Sequence, residues 1–139
     1  MNSGEATFGK SGYSDDAIRK IEVQIKKGDD LLQAERPSLI KIDVEGFEPK
    51  VIKGLEKTIS KFRPIILMEV VAQHLRNCGS SVPELIALMS ELEYVGFRLV
   101  LKRKGGRHAL AFVPIAPEER DTDVVWFHRD SAAQNTAAN

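Results

Sequence analysis

A short apolar segment that runs directly into two carboxylates and a glycine constrains this chain more than any other feature. The segment reads LIKIDVEGFE and spans residues 39–48. Its apolar alternation favours a strand, Gly46 lets the backbone leave a sheet sharply, and Pro49 suits a first helical turn because its missing N–H would be unpaired there. Ligands of open parallel sheets bind beyond the carboxyl ends of the strands, where Asp43 and Glu45 would lie. The segment therefore predicts the active-site edge of an α/β fold.

The composition bounds the size and the partners of the protein. Its 139 residues suffice for one modest core, and 20 basic and 20 acidic residues give a net charge of zero. The longest apolar run, at residues 65–68, is too short to span a membrane, and the first residues lack a signal-peptide pattern. Cys78 is the single cysteine, and we expect an ordinary reduced thiol in a loop. We therefore expect a cytoplasmic protein that binds neither nucleic acid nor a membrane.

Hydrophobic periodicity predicts strands and helices that alternate along most of the chain. The predicted elements are strands at 21–25, 39–44, 64–70, 97–102 and 124–128, a short helix near Leu31, a helix at 49–61, and a helix from Pro83 to a left-handed stop at Gly96. The apolar run PIILMEV is typical of a parallel strand covered on both faces and predicts the centre of the sheet. Residues 1–16 predict a flexible N-terminal loop, residues 17–130 the folded domain, and residues 131–139 a disordered tail.

Several segments of the chain resemble, in order, the C-terminal half of the FkbM family of S-adenosylmethionine-dependent methyltransferases. They are the Asn2-Ser3-Gly4 loop, IEVQIKKGDDLL, KIDVEGFE, PKVIKGLEKTI, RPIILMEV, YVGFRLVL and DVVWF. The resemblance implies a Rossmann-like methyltransferase fold with strand order 3-2-1-4-5-7-6, of which this chain would hold parallel strands with crossover helices and a final antiparallel strand. It also implies S-adenosylmethionine as cofactor and a small-molecule or glycan acceptor that is methylated on a hydroxyl. By this likeness Asp43 and Glu45 end strand four, and Glu69 ends strand five.

A full member of that family carries, ahead of these segments, a strand with a glycine-rich cofactor loop and a second strand that ends in an acid. Neither is found in this sequence, so we expect a partial domain that does not bind the cofactor by itself. Strand four would then lose its neighbour, strand one, and residues 39–44 would form an apolar edge that invites another strand. We expect residues 21–25, a second copy or a partner chain to cover it. The alternative is a degenerate, non-catalytic interaction domain that pairs through this edge.

Three carboxylates, Asp43, Glu45 and Glu69, are the candidate catalytic residues. Methyl transfer to a hydroxyl needs a group that orients the acceptor and takes its proton. Strand alternation places Asp43 on the same face as Lys41. Two structural alternatives remain open: Glu45 could accept backbone N–H bonds at the start of the next helix, and Glu69 could pair with a nearby Lys or Arg.

The sequence also contains the residues of a possible divalent-cation site and a phosphate-loop pattern. The three acids and His74 could hold a divalent cation, but their spacing does not specify one, so we assign no metal site. His74 lies in a segment of helical character and is expected to be a solvated or hydrogen-bonded surface histidine. GEATFGKS, residues 4–11, matches the phosphate-loop pattern, but no buried strand precedes it, so nucleotide binding is only a distant third interpretation.

Overall fold

The computed structural model describes residues 22–104 and 106–131, which form one mixed sheet with helices. In chain order the elements are α1 (Gly28–Leu31), β1 (Leu39–Ile42), α2 (Glu48–Gly54), α3 (Glu56–Phe62), β2 (Ile65–Val71), α4 (Ala72–Asn77), α5 (Val82–Glu91), β3 (Tyr94–Lys104), β4 (Arg107–Pro114) and β5 (Asp121–His128). The sheet order is β1-β2-β5-β3-β4. None of the helices in these residues is long and apolar enough to cross a membrane.

The strand directions match the predicted architecture. β1 and β2 are parallel, and β5 is antiparallel to both of its neighbours, β2 and β3. β1, β2 and β3 therefore point the same way, are joined by helical crossovers, and receive the final strand in the opposite direction. This arrangement equals the 4-5-7-6 portion of the expected strand order and confirms the α/β, Rossmann-like fold class.

One face of the sheet carries the core. In β2 the buried side chains are Ile66, Met68 and Val70, whereas the residues between them are intermediate or exposed. The prediction of a central strand covered on both faces is therefore wrong for this run, because β5 is the central strand and β2 lies next to the edge strand β1. Trp126 and Gly96 are cross-strand partners in the same layer as Ile66, so the buried positions of three strands share one face. The helices cover this face. The opposite face keeps apolar side chains exposed, among them those of Leu39, Ile65, Leu99 and Phe112.

Three predicted elements are wrong in their type or bounds. Residues 22–25 form no strand and are exposed, so over that range the chain does not fold back over β1. The helix predicted at 49–61 is interrupted at Leu55, whose side chain packs directly against Gly28 of α1. α5 ends at Glu91, and the left-handed residue that follows is Glu93, with φ 64°, whereas Gly96 lies inside β3.

The strand β4 is absent from the sequence prediction. It forms a hairpin with β3 across the turn at residues 105–106, in register from Lys104↔Arg107 to Phe97↔Pro114. The Gly-Gly pair between two strand-forming runs is a recognised hairpin signal and could have indicated it. The predicted N-terminal loop, the phosphate-loop pattern and all but the first residue of the predicted tail lie outside the described residues.

Burial of Tyr94 leads to a first prediction, on alkaline stability. Its hydroxyl donates to the Pro64 carbonyl at 2.8 Å, and burial raises the pKa of Tyr94 to about 12, with the charge of Arg63 acting in the opposite direction. The neutral phenol is the form that the folded state favours. We expect the contribution of the neutral phenol to the free energy of unfolding to be complete below the unfolded pKa of about 10. It should be lost as the pH rises through the folded pKa.

Phenolate absorbance tests this expectation directly. Tyr13→Phe leaves Tyr94 as the only tyrosine, because the chain has two. The variant should titrate near pH 12 when folded, and near pH 10, as an unperturbed phenol does, in concentrated urea. Equal midpoints in the two conditions would contradict the prediction.

Candidate active site

The three carboxylates predicted from the sequence meet at the carboxyl ends of the parallel strands. Asp43 follows β1 directly, and Glu45 lies two residues further on. Glu69 is the third residue from the end of the neighbouring strand β2. One carboxylate oxygen from each lies within 4.8 Å of the others. The sheet therefore brings together side chains separated by 26 positions in sequence, counted from residue 43 to residue 69.

Asp43 is held as an ionised, solvent-facing carboxylate. Lys41 donates from Nζ to its Oδ2 at 3.0 Å, as expected for two residues on one face of a strand. This hydrogen bond and the lysine charge lower the pKa of Asp43, and the same contact raises the pKa of Lys41. Asp43 thus offers an anionic acceptor at neutral pH that could bind a ligand hydroxyl.

Glu69 keeps a proton more readily than an ordinary glutamate does. Partial loss of solvent around this exposed side chain raises its pKa, and the charges of Asp43, Glu45 and Asp123 raise it further. Asp123 is the direct cross-strand partner of Glu69 in β5. Sequence analysis did not single out Asp123, because only the antiparallel register of β5 brings it to this edge. Asp43 and Glu69 therefore have pKa values displaced in opposite directions, a feature typical of acid and base groups in active sites.

The raised pKa of Glu69 leads to a second prediction. The folded state favours its protonated form, so ionisation of Glu69 destabilises the fold progressively as the pH rises above about 4.5. Glu69→Gln should therefore raise the free energy of unfolding at pH 7, by less than about 1 kcal/mol because the side chain is exposed. Urea unfolding followed by Trp126 fluorescence should show this gain at pH 7 and none below pH 4 or so. Glu118→Gln is the matched control, and a gain that is the same at both pH values would contradict the prediction.

Glu45 has a different role from the one that its position at a helix start suggested. Its Oε2 contacts Nδ1 of His74 in α4, and both side chains are about three-quarters shielded from solvent. The residue that precedes α2 is Phe47, without a side-chain cap, and the oxygen that accepts the loop N–H of Gly46 is Oε1 of Glu48. Glu45 therefore contacts His74 rather than capping α2, and His74 is the partnered one of the two kinds of histidine expected from the sequence.

The loop that carries Glu45 is fixed tightly against α4. Glu45 has a positive φ of 52° and Gly46 one of 98°. The Cα of Gly46 lies so close to α4 that an added Cβ would be 2.2 Å from the His74 carbonyl oxygen. Cys78 Sγ also donates to the Glu45 carbonyl at 3.7 Å. The buried Glu48 stabilises the same loop by accepting a hydrogen bond from the Gly46 N–H. Sequence analysis did not assign this function to it.

The acid cluster has the composition of a site for a hard cation. Asp43, Glu45 and Glu69 offer three carboxylate oxygens close enough for one divalent ion, and such ions prefer oxygen ligands. Exposed acids with this spacing also occur without any metal. The arrangement can equally receive hydroxyl groups as hydrogen-bond donors.

A second concavity, a cleft of about 440 Å³ between α2 and α5, is not lined by any of the three acids. Its lining includes Lys50, Lys53, Cys78 and Glu84. Burial raises the pKa of the Cys78 thiol, and the negative charge of Glu48 raises it further. The thiol is therefore protonated at neutral pH, in agreement with the expectation of an ordinary reduced thiol in a loop.

The fold is α/β, and the three acids lie at the carboxyl ends of its parallel strands, the edge at which sheets of this class bind ligands. The family model of the methyltransferase FkbM domain matches residues 2–99, which is more than half of the chain. The protein therefore belongs to the FkbM methyltransferase family. Searches of curated proteins and of solved structures gave no significant match.

Proposed function

We propose that the protein transfers a methyl group from S-adenosylmethionine to a hydroxyl group of a small-molecule or glycan acceptor. The observation that carries this proposal is the convergence of Asp43, Glu45 and Glu69 at the ends of β1 and β2 in a member of a methyltransferase family. When bound, S-adenosylmethionine supplies an electron-poor methyl group on a sulfonium, whose C–S electron pair remains on sulfur after transfer. Holding the acceptor and removing its proton are left to the protein.

The displaced pKa values suggest how the cluster divides this work. Asp43 is ionised and accepts a hydrogen bond from Lys41, so its second oxygen can orient an acceptor hydroxyl. Glu69 lies beside it with a raised pKa and can hold a proton at a higher pH than an ordinary glutamate can. Glu45 completes the cluster from the loop side.

The described residues fit the acceptor side of such a site better than the donor side. Gly46 has no space around it because the His74 carbonyl fills it, whereas Gly79 and Gly106 face open solvent. None of these glycines, in the part of the chain that the structure describes, forms a cradle for a cofactor. We therefore propose that donor binding needs a further segment beside the outer side of β1, supplied by a second copy or by a partner chain.

Methyl transfer from labelled donor tests the function. The chain is assayed at concentrations up to those that favour self-association, and with lysate of the source cells as a supply of partners. S-adenosyl-[methyl-³H]methionine is the donor, and sugars, polyols and phenols are the acceptors. We expect label in a hydroxylated acceptor, and a loss of roughly 10²-fold in rate for Asp43→Asn.

Asp130→Asn is the matched control, because Asp130 pairs with Arg63 beyond the end of β5 rather than with the acid cluster. It should retain the wild-type rate. Absence of labelled acceptor under every condition, or equal rates for wild type and Asp43→Asn, would contradict the proposed function.

A second candidate, a non-catalytic interaction domain, is supported by the exposed sheet edge. Among residues 22–104 and 106–131, β1 pairs only with β2, and Leu39 is 57% exposed. If this edge recruits a partner, the β1 amides that point away from β2 should become protected from hydrogen exchange in the complex. Protection without any S-adenosylmethionine binding in calorimetry would favour this candidate over the enzyme.

A further inference from the structure

The face of the sheet opposite the helices, which we call the open face, carries an apolar surface that runs across several strands. The strand register places five exposed apolar residues on it: Leu39 in β1, Ile65 in β2, Leu99 and Leu101 in β3, and Phe112 in β4. Their side chains are 37–66% exposed. A sheet face that stays in water normally alternates with the core face as the polar one. The open face is therefore a surface for association rather than a solvated one.

Three phenylalanine rings pack together on the open face. Phe97, Phe112 and Phe127 come from β3, β4 and β5, and their ring centroids are 5.8–6.2 Å apart. Phe112 remains 52% exposed although it contacts both of the other rings. Aromatic side chains bury a large apolar area when they leave water, and they are enriched among the residues that dominate binding at protein interfaces. The cluster therefore provides an anchor for a partner on this face.

The open face has the size of a dimer interface. Each strand residue covers about 3.4 Å along its strand, and neighbouring strands lie about 4.8 Å apart, so the five strands present roughly 600 Å² of flat area. The accessible area is larger than this, because side chains project from the sheet. A standard-size interface buries about 800 Å² on each partner. The open face can therefore support a specific and stable contact between two chains.

The charges of the open face are arranged so that a second copy of the same face fits it. Asp43, Glu69 and Asp123 lie at one corner, which stays acidic although Lys41 pairs with Asp43. Arg103 is an exposed residue on the same face, further along β3 in the hairpin. A two-fold axis between these two ends, parallel to the sheet, brings the acidic corner of one copy opposite Arg103 of the other. The net charge of zero leaves no overall repulsion between copies.

We propose that two copies of this chain pack open face against open face and form a two-sheet sandwich with two-fold symmetry. Two sheets that pack in this way lie about 10 Å apart, and their apolar side chains interdigitate. Leu101 and Phe112 then leave water in both copies. This contact does not use the outer side of β1, so it differs from pairing along that edge. It also does not depend on the proposed methyltransferase activity.

Light scattering on the purified full chain tests the proposal. At about 100 μM, well above the micromolar Kd of the weakest interfaces of this size, we expect a particle of 31 kDa, twice the 15.5 kDa of one chain. Leu101→Lys places like charges of both copies in the apolar contact and should raise the Kd at least about 10²-fold. Leu101 is 66% exposed in the single chain, so this variant should fold normally. Thermal unfolding followed by Trp126 fluorescence checks that it does.

Leu31→Lys is the matched control, because it introduces the same charge at an equally exposed leucine away from the open face. Leu31 is 62% exposed in α1, which packs beside α2 and α3. Its Kd should equal that of the wild type. A soluble gadolinium chelate then locates the contact by NMR. It should broaden the methyl signals of Ile65 in Leu101→Lys but not in the wild type, whereas those of Leu31 should broaden in both proteins.

Three results would overturn the proposal. The first is a wild-type chain that stays monomeric at the stated concentration. The second is a Leu101→Lys variant that dimerises as tightly as the wild type, which is expected if the copies pair through β1, since two strands separate β1 from β3 in the sheet. The third is a chain that is monomeric by itself and binds a different protein through the open face.

Discussion

Gly46→Ala should be among the most destabilising single substitutions in this protein, with a loss of more than about 3 kcal/mol in the free energy of unfolding. Two costs combine at this position. The positive φ of 98° strains any residue with a Cβ, and the new Cβ would lie 2.2 Å from the backbone carbonyl oxygen of His74. A carbonyl in α4 cannot rotate away without breaking the helix. Urea unfolding followed by Trp126 fluorescence measures the loss.

Gly79→Ala is the control that isolates the backbone strain. Gly79 has a similarly positive φ of 78°, but a Cβ there would meet nothing within 4 Å. Its cost should be only about 1 kcal/mol. Equal losses for the two variants would show that the loop at Gly46 does not press against α4, and this would contradict the rigid geometry described for Glu45 and His74.

Gly96→Ala should cost about 1–3 kcal/mol because it overpacks the core. Gly96 is the cross-strand partner of Trp126, and an added Cβ would lie 2.7 Å from Cζ3 of the indole. Trp126 is only 1% exposed, so a shift of its ring would have to displace neighbouring core side chains. A lower urea midpoint and a shifted Trp126 emission maximum are the expected readouts.

Gly54→Ala is the matched control for this substitution. The nearest atom to its new Cβ would be the Gly28 nitrogen at 3.7 Å, an ordinary contact. Since alanine is the better helix former, this variant should gain stability or lose none. A Gly96→Ala protein that is as stable as wild type would contradict the tight packing of β3 against β5.

The sequence predicts best those elements whose signal is local and strongly periodic. β1, β2 and the first residue of α5 lie within two residues of their predicted positions. Asp43, Glu45 and Glu69 could be expected at one edge because the carboxyl ends of parallel strands meet there. Their proximity is therefore a consequence of the pattern LIKIDVEGFE followed by PIILMEV.

The remaining features depend on contacts between distant residues. The pairing of Glu45 with His74 and the approach of Asp123 to Glu69 follow from sheet register, which no local pattern specifies. The sequence predicts Gly96 as a helix stop, whereas it lies inside β3. A side chain at this position would collide with the indole of Trp126. The break at Leu55 likewise reflects packing against α1. Tertiary packing overrides local propensity at both of these positions.

Carbon NMR of a ¹³C-labelled methyl group is the measurement that tests the central claim most directly, because the chemical shift identifies the atom that receives the methyl. With labelled S-adenosylmethionine, a hydroxylated acceptor and the wild-type chain in the presence of its partners, we predict the appearance of an oxygen-bound methyl resonance. The same signal should be strongly reduced in Asp43→Asn and unchanged in Asp130→Asn. A methyl resonance on nitrogen or carbon, or an oxygen-bound signal of equal strength in Asp43→Asn, would contradict the claim that the acids beyond β1 and β2 hold the hydroxyl that is methylated.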